Sequence, residues 1–474
     1  MELAVDNSQS ELRETFDALH QVSRKTPYPD LQTRIDRLRR LEDAIEENAA
    51  ELVKAMSEDF SHRSHSESEA FDIMATVGAI RDTRRHTKKW MKMRRVHTPK
   101  HLLPARSRIL PQPLGVVGVI SPWNFPVFLA IPPMANAIAA GNVVMLKPSE
   151  LTPKTSTVLQ RILHAAFSRD EVIVVTGGPD VAAEFSELPF DHLIFTGSTA
   201  VGRKVAMAAA KNLTPVTLEL GGKSPTVVTP SADMKRAAKR VAFGKCTNAG
   251  QICVSPDYAL VPRAKMGEFV AAMEEAIQGF YPKGIAAPEY SAIVSDRHKV
   301  RLETMANDAE KSGARVVRLG DVKSGVDSRK VAPSIIVDPD TNLQVMQEEV
   351  FGPLLSVIPY DTQEEALDFV TQRDRPLALY IFAEDSKDKD FWLYQSVSGG
   401  VCVNETAFHV VCDSLPFGGV GPSGMGAYHG QKGFETFSHM KSIFIQPKLN
   451  AAFVFDPPLT GLKKRIGQIV HKII

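Results

Sequence analysis

The chain has 474 residues, 43% hydrophobic and 23% charged, a balance that suits about three globular domains at roughly 150 residues each and excludes a disordered chain. Lys and Arg number 56 and Asp and Glu 55, a net charge of +1, which argues against a dedicated nucleic-acid binder. Four cysteines exclude a disulfide scaffold and make a reducing cytoplasm the default compartment.

The first residues carry Glu2, Asp6, Glu11, Arg13, Glu14 and Asp17 with no apolar run between them, unlike a signal peptide. Leu31, Ile35, Leu38, Leu41, Ile45, Leu52 and Val53 recur at helical spacing, predicting helix over 31–60. A second helical stretch runs over 67–93 through Phe71, Ile73, Met74, Val77 and Ile80. Residues 81–108 hold eleven Lys or Arg against one Asp. This reads as a solvated helix end and hairpin, with an anionic partner as the alternative.

No charge occurs over 109–146, yet Pro111, Pro113, Pro122, Pro126, Pro132, Pro133, Asn124, Asn136 and Asn142 interrupt it. It therefore reads as buried strand, turn, helix and strand rather than a membrane span. Strands are predicted at 115–120, 143–146, 172–175, 193–195, 226–228 and 258–261, and helices at 131–140, 154–167, 180–186 and 232–244. Short apolar runs alternating with helices to about residue 405 indicate two α/β domains built on mostly parallel sheets. In the tail, Leu462, Ile466, Ile469, Val470 and Ile473 form an apolar stripe beside Lys463, Lys464, Arg465 and Lys472. It suits a helix packed on protein, or one lying in a membrane interface.

Three local features suggest chemistry. Cys253 is flanked by small residues in Asn248-Ala249-Gly250-Gln251-Ile252-Cys253-Val254-Ser255. A turn position would suit a nucleophile, although a lone cysteine is more often a buried structural residue, as Cys246 is read. Glu219 sits inside the apolar run Leu218-Glu219-Leu220 before Gly221 and Gly222. Such a carboxylate either pairs with a neighbouring Lys or carries a raised pKa fit for a general base. In Phe195-Thr196-Gly197-Ser198-Thr199-Ala200-Val201-Gly202, a helix start suits phosphate, and Ser198 suits equally a plain N-cap. Cysteine and histidine spacing matches no zinc site, so no metal is expected.

Together with Ser121-Pro122-Trp123-Asn124-Phe125-Pro126, Leu146-Lys147-Pro148-Ser149-Glu150 and Glu348-Glu349-Val350-Phe351-Gly352-Pro353, these motifs resemble the aldehyde dehydrogenase superfamily from about residue 30 to 447. The run 415–430 and Phe437-Ser438-His439 look like the class 3 branch, and especially the coniferyl aldehyde dehydrogenases. The resemblance implies oxidation of an aldehyde to a free acid. Cys253 matches the nucleophile, Glu219 the general base and Asn124 an oxyanion donor. For the cofactor it implies Lys147 and Glu150 at the adenosine ribose, Gly197, Ser198 and Gly202 near the pyrophosphate, and Glu349 and Phe351 at the nicotinamide end. Glu150 would repel a 2′-phosphate, so NAD is expected, with NADP as the other cofactor of this branch. Ile252 stands where this branch commonly has Thr, and Ser255 where a smaller residue is usual.

The implied architecture is a Rossmann-type NAD(P)-binding domain (1–87 and 110–220), an α/β catalytic domain (221–420), an oligomerisation arm (88–109 and 430–447) and an amphipathic tail (459–474). The implied assembly is a homodimer. The expected substrate is an aromatic aldehyde such as coniferyl aldehyde, or a medium-chain one. Long-chain fatty aldehydes and a catalytically silent relative are the alternatives. Asn404 and His409 are candidates for tuning the pocket, against a structural role.

Overall fold

The charge-free run 109–146 supplies the centre of a sheet. In the computed structural model, which describes residues 11–319, 329–450 and 452–471, strands Val116–Ile120 and Val143–Lys147 are buried throughout and pair in parallel. The helix between them, Ile131–Ala140, is wholly buried. It stops at Gly141, whose φ of 98° is open to glycine. A Cβ there would lie 2.7 Å from the Arg34 guanidinium carbon, so the close approach also excludes a larger residue.

This sheet has six strands in the order Gly424–Met425, Val216–Leu220, His192–Gly197, Val116–Ile120, Val143–Lys147 and Val172–Val174. All pair in parallel except the two-residue edge strand. A seven-stranded sheet follows the order Arg315–Arg318, Ser334–Val337, Leu354–Tyr360, Tyr258–Pro262, Pro225–Val228, Ala378–Phe382 and Gly400–Val403, antiparallel only at its first strand. The third sheet, antiparallel, joins Arg94–Val96, Arg106–Pro113 and Ser438–Ile445. The mostly parallel α/β class expected from the sequence is therefore the one observed.

Two helical expectations need correction. The 31–60 stretch is two helices, Leu31–Glu47 and Ala49–Asp59. Asn48 separates them, its side-chain amide donating to the Ala44 carbonyl at 2.9 Å. The 67–93 stretch carries a π-turn, Ser68–Met74, before the helix Ala75–Trp90. Inside that turn Asp72 pairs with Arg63 at 2.7 Å, both fully buried. Its other oxygen accepts the backbone N–H groups of Val127 and Phe128 at 3.2 and 3.1 Å. The wider turn thus anchors the loop that follows strand Val116–Ile120.

The tail forms the helix Leu462–His471, with Leu462 70% exposed. The stripe members Ile469 and Val470 lie outside the described side chains, and Lys472 and Ile473 outside the described residues. Among the described residues no helix is long and apolar enough to cross a membrane.

Candidate active site

In an open parallel sheet, ligands bind beyond the carboxyl ends of the strands, where the strand order reverses. Here the reversal lies between Val116–Ile120 and His192–Gly197. The loop with Trp123 and Asn124 leaves the first of these strands, and Ser198 follows the second. Glu219 lies one strand further, opposite Thr196.

The loop holding Cys253 is bent by three successive left-handed residues, Asn248 (φ 47°), Ala249 (φ 50°) and Gly250 (φ 72°). Glycine is required at the third, because a Cβ would lie 2.2 Å from the Gly352 carbonyl oxygen. Hydrogen bonds secure the bend. The Asn248 N–H donates to Glu67 Oε2 at 3.1 Å, and its side-chain amide donates to the Asn124 carbonyl at 3.0 Å. The buried Gln251 amide donates to the carbonyls of Asn248 (2.9 Å) and Ala292 (3.0 Å) and accepts the Val294 N–H (3.0 Å). Asn124 Nδ2 donates to the Gln251 carbonyl at 3.1 Å. The Tyr380 hydroxyl donates to the Val254 carbonyl. Cys253 emerges partly exposed in a turn, while Cys246 is buried.

The charges around the thiol explain its state. Burial, then the negative charges of Glu349 and Glu219, push the Cys253 thiol up to about 12, against the opposing N–H groups of Cys253 and Val254. Glu219 is 2% exposed, and neither of its oxygens has a hydrogen-bond partner among the described residues. Burial lifts its carboxyl well above the ordinary range. The Lys-paired alternative for Glu219 is thereby corrected: Lys223 turns to Asp257 and to the carbonyls of Val345 and Glu348 instead. Glu349 is held up to about 8 by burial and by Asp257, with a hydrogen bond from the Gly222 N–H opposing.

Of the residues that the resemblance assigns to a cofactor, Lys147, Gly197 and Ser198 lie at or just beyond the carboxyl ends of two strands of the six-stranded sheet. Lys147 Nζ is buried and donates to the Pro148 carbonyl at 3.0 Å and to Glu150 at 3.4 Å. Ser198 caps the helix Thr199–Ala210, accepting the Val201 N–H at 3.4 Å, so its N-cap reading holds. Gly202 lets that helix approach the sheet, since a Cβ would lie 2.5 Å from a Leu220 methyl. A Cβ at Gly197 would lie as close to the Phe195 ring, at 2.6 Å. A cavity of about 560 Å³ is lined by Glu349 with Thr199, Gly221, Lys223 and Arg373 among others. Glu349 Oε1 is buried and has no hydrogen-bond partner among the described residues. Phe351 (φ 47°) packs on Trp123 with ring centroids 5.2 Å apart.

On the other side of Cys253 lies a cavity of about 90 Å³ lined by Phe71, Phe125, Phe128, Phe243, Phe408 and Phe417, with Asn124, Thr247, Ile252 and Cys253. The sequence reading included Asn124 and Ile252 but none of these rings as site residues, nor Glu67 or Gln251. Asn404 is tied into the backbone, and His409 lies against Phe417 of the cavity wall with ring centroids 6.0 Å apart. The Asn404 side chain pairs with both backbone groups of Ala383 at 2.9 Å, and His409 Nδ1 meets Cys402 Sγ at 3.1 Å. Among the described residues no cluster of metal-ligating side chains occurs.

Comparison with known proteins adds a family. The model of the aldehyde dehydrogenase family matches residues 6–443. A protein of Pseudomonas aeruginosa named probable coniferyl aldehyde dehydrogenase is 48% identical, covering 94% of this chain and 93% of its own. A substrate-bound Staphylococcus aureus AldH structure superposes with a TM-score of 0.93 at 36% identity, over 98% of this chain and 100% of that one. A Mycobacterium tuberculosis aldehyde dehydrogenase complexed with NAD+ superposes with a TM-score of 0.80 at 30% identity, over 91% and 89%.

Proposed function

We propose, from the premise that this chain belongs to the aldehyde dehydrogenase family, that it oxidises an aromatic or medium-chain aldehyde, of coniferyl type in the first instance, to the carboxylic acid with NAD(P). The observation that carries the reading is a buried Glu219 carboxyl, without a hydrogen-bond partner among the described residues, whose charge acts on the partly exposed thiol of Cys253. The cleft fits a nicotinamide cofactor, because Glu349 offers an unpartnered buried oxygen and Gly221 leaves the space beside it, where a Cβ would lie 1.9 Å from Glu349 Oε2. Lys147, Glu150, Ser198 and Glu349 would hold it. When bound, it accepts the hydride released from the aldehyde carbon. Exposed Glu150 disfavours a 2′-phosphate, so NAD is the preferred form.

The chain's own residues do the rest. An aldehyde carbon cannot release hydride until a nucleophile makes it tetrahedral, and sulfur is suited both to attack and to leave. Cys253 Sγ bonds to that carbon, and its proton passes to the Glu219 carboxylate, which releases it to solvent before the hydrolytic step. The oxyanion needs donors: an amide has two N–H groups, and Asn124 commits one to Gln251, leaving the other, with the Cys253 N–H, for the oxygen. One such donor contributes ~2.7–4 kcal/mol. Loss of hydride leaves a thioester on Cys253, and Glu219 takes the proton of the water that hydrolyses it. Carboxylate and free thiol are regenerated. NADH absorbance over a panel of aromatic and aliphatic aldehydes tests this. No absorbance change with any of them, with Cys253 shown to be reduced, would overturn it.

The domain division given above, a reducing cytoplasmic location and a homodimer belong to the same proposal. The edge strand Ser438–Ile445 leaves Phe444 54% exposed, a surface suited to pairing with a second copy. Light scattering should give a dimer mass, and a monomer mass would remove that element. The exposed tail helix suits weak membrane association; equal liposome recovery of the full chain and of one ending at Pro458 would remove it.

A further inference from the structure

We propose that Arg240 is a specificity-determining residue: a guanidinium clasp that holds the mouth of the ring-lined cavity in the shape that admits a flat aromatic aldehyde. The proposal rests on the aldehyde-oxidising reading above. Phe125, Phe128 and Phe417 are buried and form the deep wall, whereas Phe71, Phe243 and Phe408 are partly exposed, Phe408 at 49%. The outer rings form a chain, Phe71 to Phe243 at 6.4 Å and Phe243 to Phe408 at 6.1 Å between centroids. They come from three distant segments, so something must register them.

Arg240 does so for two of the three. Its guanidinium lies 4.5 Å from the centroid of Phe243 and 5.8 Å from that of Phe408, within the range of cation–π attraction. Its Nε donates to Glu405 Oε1 at 2.7 Å, and the same oxygen accepts the Thr406 N–H at 2.8 Å. The Thr406 hydroxyl donates to the Arg240 carbonyl at 2.9 Å. Gly244 permits the approach, as a Cβ there would lie 2.6 Å from Thr406 Oγ1. Phe408 follows Ala407, held at φ 64°. An alanine pays strain in that conformation, so the turn depends on its anchors. Arg240 is not a lining residue of the cavity and acts through the rings. Because Cys253 and the outer rings line the same cavity, the clasp should matter more to a flat aromatic aldehyde than to a three-carbon one.

The test compares Arg240→Met and Arg240→Lys with the wild-type enzyme in two ratios. One is kcat/KM for cinnamaldehyde over propanal. The other, independent of turnover, is the rate of Cys253 alkylation by chloroacetanilide over chloroacetamide, read by mass spectrometry. Arg240→Met should lower both ratios about tenfold, the scale of a partly buried cation–π contact, and Arg240→Lys should restore part. A fall in the alkylation ratio smaller than about threefold overturns the clasp. If the wild type oxidises no aldehyde, the catalytic reading fails while the alkylation ratio still decides the clasp. Should Arg240→Met not fold, Glu405→Gln takes its place, with the same thresholds.

Discussion

The two sides of Cys253 are built on opposite principles. Toward the cofactor cleft stand buried carboxyls, Glu219 and Glu349, with oxygens that have no hydrogen-bond partner among the described residues. Toward the substrate cavity stand six phenylalanine rings and few polar atoms. Buried polar atoms without partners are costly, so the first side stores a destabilisation that a bound group or a moving proton can relieve. The second side is chiefly apolar, and it fixes shape. Chemistry and selectivity are therefore separable here, and substitutions on the two sides should fail differently.

The largest effect should come from Glu219→Gln. A general base typically contributes about 10²–10⁴-fold, and steady turnover should fall by that factor while a burst of NADH persists and a thioester accumulates on Cys253. Wild-type turnover in this variant would show that Glu219 is structural. Asn124→Ala should come next, with kcat down about 10²–10³-fold. Because Asn124 also holds the Gln251 carbonyl, its melting temperature should be followed as well. A change in KM with kcat intact would move Asn124 from the oxyanion to the substrate wall.

Much of this contrast was legible in the sequence, but unevenly. Strands buried on both faces are unbroken apolar runs, and helix 131–140 was readable to its last residue because Gly141 ends it. The break at Asn48 was hidden, since the apolar stripe continues across it on both helices. Glu219 was visible as a carboxyl in an apolar strand. Glu67 was not, because a carboxylate on an amphipathic helix looks like solvent face, and its partner Asn248 lies 181 positions away. The phenylalanine rings were silent for the same reason: six rings spread from 71 to 417 form one wall only after folding.

The smallest effect, a pH dependence of stability, also sharpens the contrast. A carboxyl whose pKa is raised by folding binds its proton more tightly when folded, so stability is full below the unfolded value of 4.5 and is lost as pH rises through the folded value. Glu67, pushed up by burial to about 7, and Glu349, to about 8, both behave so. Buried neutral histidines act in the opposite direction: His192, His298 and His409, lowered by burial to about 4, add stability as pH rises, but only up to their unfolded 6.5. Lys245, lowered by burial to about 8, adds stability only above that value. Between 6.5 and about 8 the raised carboxyls are thus left to set the slope, and the denaturation midpoint of the ligand-free protein should fall across that window. Glu349→Gln, neutral at every pH, should flatten the fall, whereas Phe128→Ala on the apolar side should lower the midpoint by the same amount throughout. Equal slopes in wild type and Glu349→Gln would mean that the cleft carboxyl is already ionised and partnered before any ligand arrives.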